Sequence, residues 1–160
     1  MKEVMAIPKM IWQSVGLLLL VACVAVAAAD EQEDGLLSAT PVVKVELSEW
    51  AIKVNRKTVR SGVVAFEVSN RGLEEHEFVV IKSELPLASL PLVAGKVNEA
   101  TAGEWIGEIE EIAPQTAHRA SFTLVPGRYL FICNIVEKEP DGTLESHFHE
   151  GMQREFLVLP

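Results

Sequence analysis

The sequence predicts an all-β domain, a sandwich or barrel of about eight short strands, and three observations carry that prediction. Apolar and polar residues alternate with a period of two through most of residues 41–160. Turn signals at Ser61-Gly62, Arg71-Gly72 and Pro126-Gly127 separate the alternating runs. At 160 residues the chain has room for one core and a leader, and too little for two ordinary domains.

Residues 11–29 run "IWQSVGLLLLVACVAVAAA" without a charge, behind Lys2 and Lys9, which is the layout of an export signal. Three readings stay open. The small residues of "AAAD" suit cleavage after Ala29, "LVAC" suits lipidation of Cys23, and the stretch is long enough to remain in a bilayer as an anchor. Each route exports the downstream domain to the periplasm or another extracytoplasmic space, with membrane attachment in the last two. Residues 1–29 are thus expected to be a signal peptide or membrane anchor, residues 30–40 ("DEQEDGLLSAT") an acidic linker, and residues 41–160 the folded domain.

The strands come in order. "VVKVEL" puts Val43, Val45 and Leu47 on one side, "WAIKV" does so with Trp50, Ile52 and Val54, and "VVAFEV" with Val64, Phe66 and Val68. "HEFVVI" from His76, "GEIEEI" from Gly107, "ASFTL" from Ala120, "GRYLFICNI" from Gly127 and "REFLVL" from Arg154 continue the pattern. "YLFICNI" is apolar on both faces, as a central strand covered on each side must be. Residues 84–106 contain two prolines and several helix formers, and are expected as an irregular excursion with a short helix. Residues 136–151 are expected as a long polar loop.

The leader carries Lys2, Lys9 and Glu3, so the formal charge of −9 becomes −10 for residues 30–160. An acidic surface excludes nucleic acid as a partner, since its backbone is bound by Lys and Arg. With Cys23 in the leader, Cys133 is the lone cysteine of the exported domain, where pairing is the usual fate. As an ordinary residue it would be an inert buried thiol.

Its neighbours point elsewhere. Past the leader the chain has one Met and four His, and Cys133, Met152, His147 and His149 all lie within residues 133–160. Imidazole, thiolate and thioether form the ligand set of a copper site in which two His and one Cys make a trigonal plane and a distant Met caps it. His76, at the head of "HEFVV", is the natural contributor from another strand. His149 is expected to face solvent or sit behind a ligand, and His118 to be a plain edge-strand residue. Trp50, Trp105 and Tyr129 are expected in the core.

These segments together resemble the cupredoxins, the blue copper family that includes plastocyanin and azurin. The resemblance covers residues 41–160. It is carried by "SNRG" before "HEFVV", by "VPGRYLFICNI", by "HFHEGM" and by the closing strand "REFLVL". It implies a Greek-key β-sandwich and one type 1-like copper held by His76, Cys133, His147 and an axial Met152. The family's His-x-x-x-x-Met spacing selects His147 over His149. Two departures stand out: thirteen residues separate Cys133 from His147, where plastocyanin-like loops have only a few, and Glu77 comes directly after the first histidine, where many members have a side chain bonded to the cysteine sulfur.

The function this implies is that of a monomeric one-electron carrier serving a redox partner protein such as a basic cytochrome. Two alternatives stand beside it: a module that stores or delivers copper, and a non-redox partner-binding sandwich with another metal or none. An enzyme is not expected, because no acid and base flank a nucleophile, and Ser146 beside His147 lacks the third group of a triad. Glu74, Glu75 and Glu77 near the first histidine, with Glu137, Glu139, Asp141, Glu145 and Glu150 near the others, are expected to gather at the metal end. Such a rim could dock a basic partner, concentrate cations, or merely keep the protein soluble.

Overall fold

The computed structural model describes residues 39–160. The signal or anchor expected over residues 1–29, with Cys23, and the linker through residue 38 lie outside the described residues. In chain order the first strands are β1 (Val42–Ser48), β2 (Ala51–Val54), β3 (Thr58–Arg60), β4 (Gly62–Asn70) and β5 (His76–Lys82). The short pair β6 (Leu92–Val93) and β7 (Lys96–Val97) is next, then the helical turn α1 (Glu99–Ala102), β8 (Glu104–Ile112), β9 (Ala117–Leu124) and β10 (Gly127–Ile132). A hairpin of β11 (Val136–Lys138) and β12 (Leu144–Ser146), the helical turn α2 (His147–Glu150) and β13 (Gln153–Leu159) complete the chain.

Strands β2, β1, β4 and β9 form one sheet in that order, and β3, β13, β10, β5 and β8 form the other. Neighbours are antiparallel except β1 with β4 and β3 with β13. Between β1 and β4 the chain leaves for β3 in the opposite sheet, which allows the parallel pairing. Alternation decides which face turns inward: Val43, Val45 and Leu47 of β1 are fully buried, while Lys44 and Glu46 between them are exposed. They meet Phe78 and Val80 of β5, Tyr129 and Phe131 of β10, and Phe156 and Val158 of β13 in one core between the sheets. Phe131 is its hub, with ring centroids 4.9 Å from Phe156, 5.0 Å from Phe78 and 5.6 Å from Phe66.

The central strand is covered on both faces, as expected for β10. Leu130 and Ile132 point away from the main core and join Val79 and Ile81 in a second cluster. Leu90, Val97 and Ala102 of the excursion after β5 cover it together with Phe148 of α2, and keep the outer face of this sheet out of water. Tyr129 is buried and ties down the turn before its own strand. Its hydroxyl donates to the Val125 carbonyl (2.9 Å) and accepts from the Val125 N–H (3.1 Å).

Several expectations need correction. Residues 136–151 are not a loop but the β11–β12 hairpin and α2, because Val136 pairs with Ser146 and Lys138 with Leu144. The excursion holds α1 as expected, together with the β6–β7 pair and the start of β8. The short edge strand β3 carries one inward residue, Val59, too little alternation to register. Strand β10 stops at Ile132, since Asn134 turns aside to bond β7: it accepts from the Val97 N–H (2.6 Å) and donates to the Val97 carbonyl (3.0 Å). Trp105 is half exposed rather than in the core, because β8 is an edge strand there.

Candidate metal centre

Antiparallel pairing sets the start of β5, the end of β10 and the start of β13 side by side. His76 is the first residue of β5, and a register shift separates it from Phe78. Cys133 lies just past β10, and its N–H donates to the Met152 carbonyl (3.1 Å). His147 opens α2, which Ser146 caps by accepting the His149 N–H (3.3 Å). The turn then reverses at Gly151, and the Met152 N–H reaches the His147 carbonyl (2.9 Å). One short turn thereby returns Met152 to the strand end that carries Cys133.

The expected ligands converge. His147 Nδ1 lies 3.3 Å from Cys133 Sγ and 3.3 Å from His76 Nδ1. The ligand atoms of these three residues all lie within 4.8 Å of one another. All three side chains are fully buried, as is Met152, which packs in the same core cluster as Cys133. His149 is exposed, and His118 is exposed on the edge strand β9, both as expected.

Burial sets the protonation states. The Cys133 thiol is pushed up to about 12, first by desolvation, with donation from the Glu77 N–H to its sulfur (3.4 Å) opposing it. Desolvation also holds His76 and His147 below the ordinary imidazole value, against the raising effect of nearby Glu49 and Glu137. Neutral imidazoles are the ligand form. A buried thiol gives up its proton readily only to a metal ion. The outer nitrogens, His76 Nε2 and His147 Nε2, are buried and have no hydrogen-bond partner among the described residues. Two ring nitrogens and a sulfur converging in a dry pocket fit a soft cation well, and the donor set is the one copper prefers.

Acidic side chains crowd the outer side. Glu74 Oε2 lies 3.8 Å from His147 Nε2, and the Glu74 carboxyl is raised by burial and then by Glu145, Glu49, Glu137 and Glu139. Glu145 is raised by burial and by Glu139, Glu150 and Glu137. Glu77 departs from this rim. It turns inward, accepts the Asn134 N–H (2.8 Å) and is raised by burial. The bond to sulfur at this position therefore comes from the Glu77 backbone rather than its side chain.

Glu49 and Trp50, in the turn between β1 and β2, also belong to the site. Glu49 Oε1 stands 3.4 Å from His76 Nε2, close to hydrogen-bond distance but out of alignment. Trp50, expected in the core, sets its ring edge-on to His147 with centroids 5.0 Å apart. Neither residue carries a spacing signal, since each meets its partner only through tertiary pairing.

Among solved structures, the chain is similar to a dithionite-reduced auracyanin from the photosynthetic bacterium Roseiflexus castenholzii. The two are 20% identical over 76% of this chain and 98% of that one, with a TM-score of 0.53. An auracyanin B structure is 19% identical over 75% of this chain and 89% of its own, also at a TM-score of 0.53. No curated protein matches the sequence. A family model described as the cupredoxin-like domain matches residues 16–144, ending just before the turn that carries His147 and Met152. That match spans well over half of the sequence, and the chain therefore belongs to the cupredoxin-like domain family.

Proposed function

We propose that this protein is an exported, monomeric one-electron carrier in which His76, Cys133, His147 and Met152 would hold one type 1-like copper. The observation that carries this reading is the convergence of His147 Nδ1 on both Cys133 Sγ and His76 Nδ1 at 3.3 Å inside a fully buried pocket. When bound, copper supplies a one-electron couple. The chain's part is to keep four side chains in one arrangement and to exclude water. His76, Cys133 and Met152 are fixed by sheet pairing or by backbone bonds between strand ends, and His147 by a capped turn. Ligands held this way have little freedom to rearrange when the charge changes, which favours fast exchange. One similar fold, the Roseiflexus auracyanin, is known in a chemically reduced form, which supports a redox role.

The acidic rim of Glu74, Glu137, Glu139, Glu145 and Glu150 would dock a basic redox partner. The same rim supports the second reading, a copper storage or delivery module, because carboxylates beside His147 would offer a transient stop for a cation.

The test is a Cu(II) titration of the exported domain. An intense visible thiolate-to-copper band should rise to one equivalent, and Cys133→Ser should remove it, since a hydroxyl stays protonated and is a poor soft ligand. A wild-type protein that stays colourless contradicts the reading.

A further inference from the structure

Both imidazoles turn Nδ1 toward each other and toward the sulfur, which leaves Nε2 as the outer nitrogen of each ring. The side chain facing the outer nitrogen of His76 is held in place by its surroundings. Glu49 Oε1, 3.4 Å from His76 Nε2, also accepts the N–H groups of Leu73 (2.7 Å) and Glu74 (2.9 Å). Its seat requires a glycine: a Cβ on Gly72 would overlap the carboxylate. Asn70, fully buried, pins this loop by accepting the Gly72 N–H (2.8 Å) and donating to the Ile112 (2.8 Å) and Glu74 carbonyls (2.6 Å). Trp50, adjacent to Glu49 in the chain, reaches the other ring, and its carbonyl occupies space that a Cβ on Gly151 would invade at 2.9 Å. One turn therefore touches both histidines, and a glycine on each side admits it.

We propose that Glu49 is the positioning residue of His76: with Nδ1 committed to the metal, the ring proton resides on Nε2, and a small rotation of the ring aligns it to donate to the Glu49 carboxylate, which fixes the ring plane and makes the imidazole a stronger donor. This role rests on the copper reading of the site. Its consequence is specific to oxidation state, because a more basic ligand with a negative charge behind it favours Cu(II) over Cu(I). Glu74 stands farther from His147, at 3.8 Å, and is more exposed, so the two rings are held unequally.

An alternative is that Glu49 only staples the 70–74 loop. The variant Glu49→Gln separates these roles, since an amide oxygen still accepts from Leu73 and Glu74 but carries no charge and accepts weakly from Nε2. Glu46→Gln, which removes the same charge from an exposed position on β1, is the control. In copper-loaded proteins, Glu49→Gln should keep the visible band yet lose about ten- to a hundredfold in Cu(II) affinity. Cu(I) affinity should change less, and each tenfold difference raises the midpoint potential by about 59 mV. Glu46→Gln should match wild type. If Glu49→Gln fails to fold, Gly72→Ala keeps every charge while displacing the carboxylate, and should raise the potential in the same direction. A coloured wild type whose potential is unmoved by the Glu49 or Gly72 change overturns the positioning role alone. A colourless wild type overturns the copper reading, and the positioning role with it.

Discussion

His147 Nδ1 lies 3.3 Å from Cys133 Sγ although the two residues are fourteen positions apart in the chain. The intervening segment does not span this distance as a slack loop. It leaves at Asn134, folds back on itself as β11 and β12, and returns so that the His147 N–H donates to the Ile135 carbonyl (3.1 Å). The hairpin closes its own ends, and the ligand spacing is set at its base rather than by its length.

Replacing residues 139–143 with a two-residue turn should therefore leave the copper spectrum and affinity nearly unchanged. Absorption and competition titrations check this. Loss of the band in a folded hairpin-shortened protein would mean that the hairpin tip, not its base, places His147.

Within "HFHEGM" the labour should divide by burial. His147→Ala should lose most copper affinity or change the spectrum outright, whereas His149→Ala, at an exposed position, should leave both nearly intact. Met152→Leu, a swap of similar volume, should cost less than about 1.5 kcal/mol of stability. It should also raise the reduction potential, because losing a weak thioether donor disfavours Cu(II) more than Cu(I).

The metal-free domain should lose stability on both sides of neutral pH. His76 and His147 are held below their ordinary value, so their contribution is complete above the unfolded imidazole pKa of about 6.5 and fades as pH falls. Cys133 is held up to about 12. The unfolded thiol ionises above about pH 8.5 while the folded one keeps its proton, so stability falls by at most ~1.4 kcal/mol per pH unit from there up to the folded value. Thermal midpoints from pH 5 to 10, with and without copper, test this. A flat metal-free profile from pH 7 to 10 would contradict a buried, protonated Cys133.

Much of this architecture was legible in the sequence. The alternation of Val43, Val45 and Leu47 marks β1, and the doubly apolar run through Tyr129 to Ile132 marks the central strand, because period and coverage are local properties. Cys133, His147 and Met152 lie close in the chain and announce a ligand set by type and spacing. What stayed hidden depends on contacts between distant segments. Glu49, in a turn of one sheet, meets His76 of the other, Trp50 meets His147, and Asn134 leaves its strand to bond Val97. The β11–β12 hairpin was masked by its charged, largely exposed residues, since a two-stranded ribbon with a single buried side chain, Ser146, shows no alternation.

The acidic rim should govern encounter rather than chemistry. Electron exchange with a basic exported cytochrome should slow as salt rises, since screening shortens the reach of surface charge to about 8–10 Å near physiological ionic strength. Stopped-flow rates at several salt concentrations, repeated with Glu137→Gln and Glu145→Gln, measure this. A salt-independent rate would remove the rim from the docking surface.

Whether His76, Cys133, His147 and Met152 build a carrier is decided by an optical redox titration of the copper-loaded protein with a moderate Cu(I) chelator present. A carrier should show a reversible one-electron transition in which the visible band bleaches and returns in full, with copper retained throughout. Loss of the metal to the chelator on reduction, so that the band does not return, would contradict the carrier and favour a protein that delivers copper.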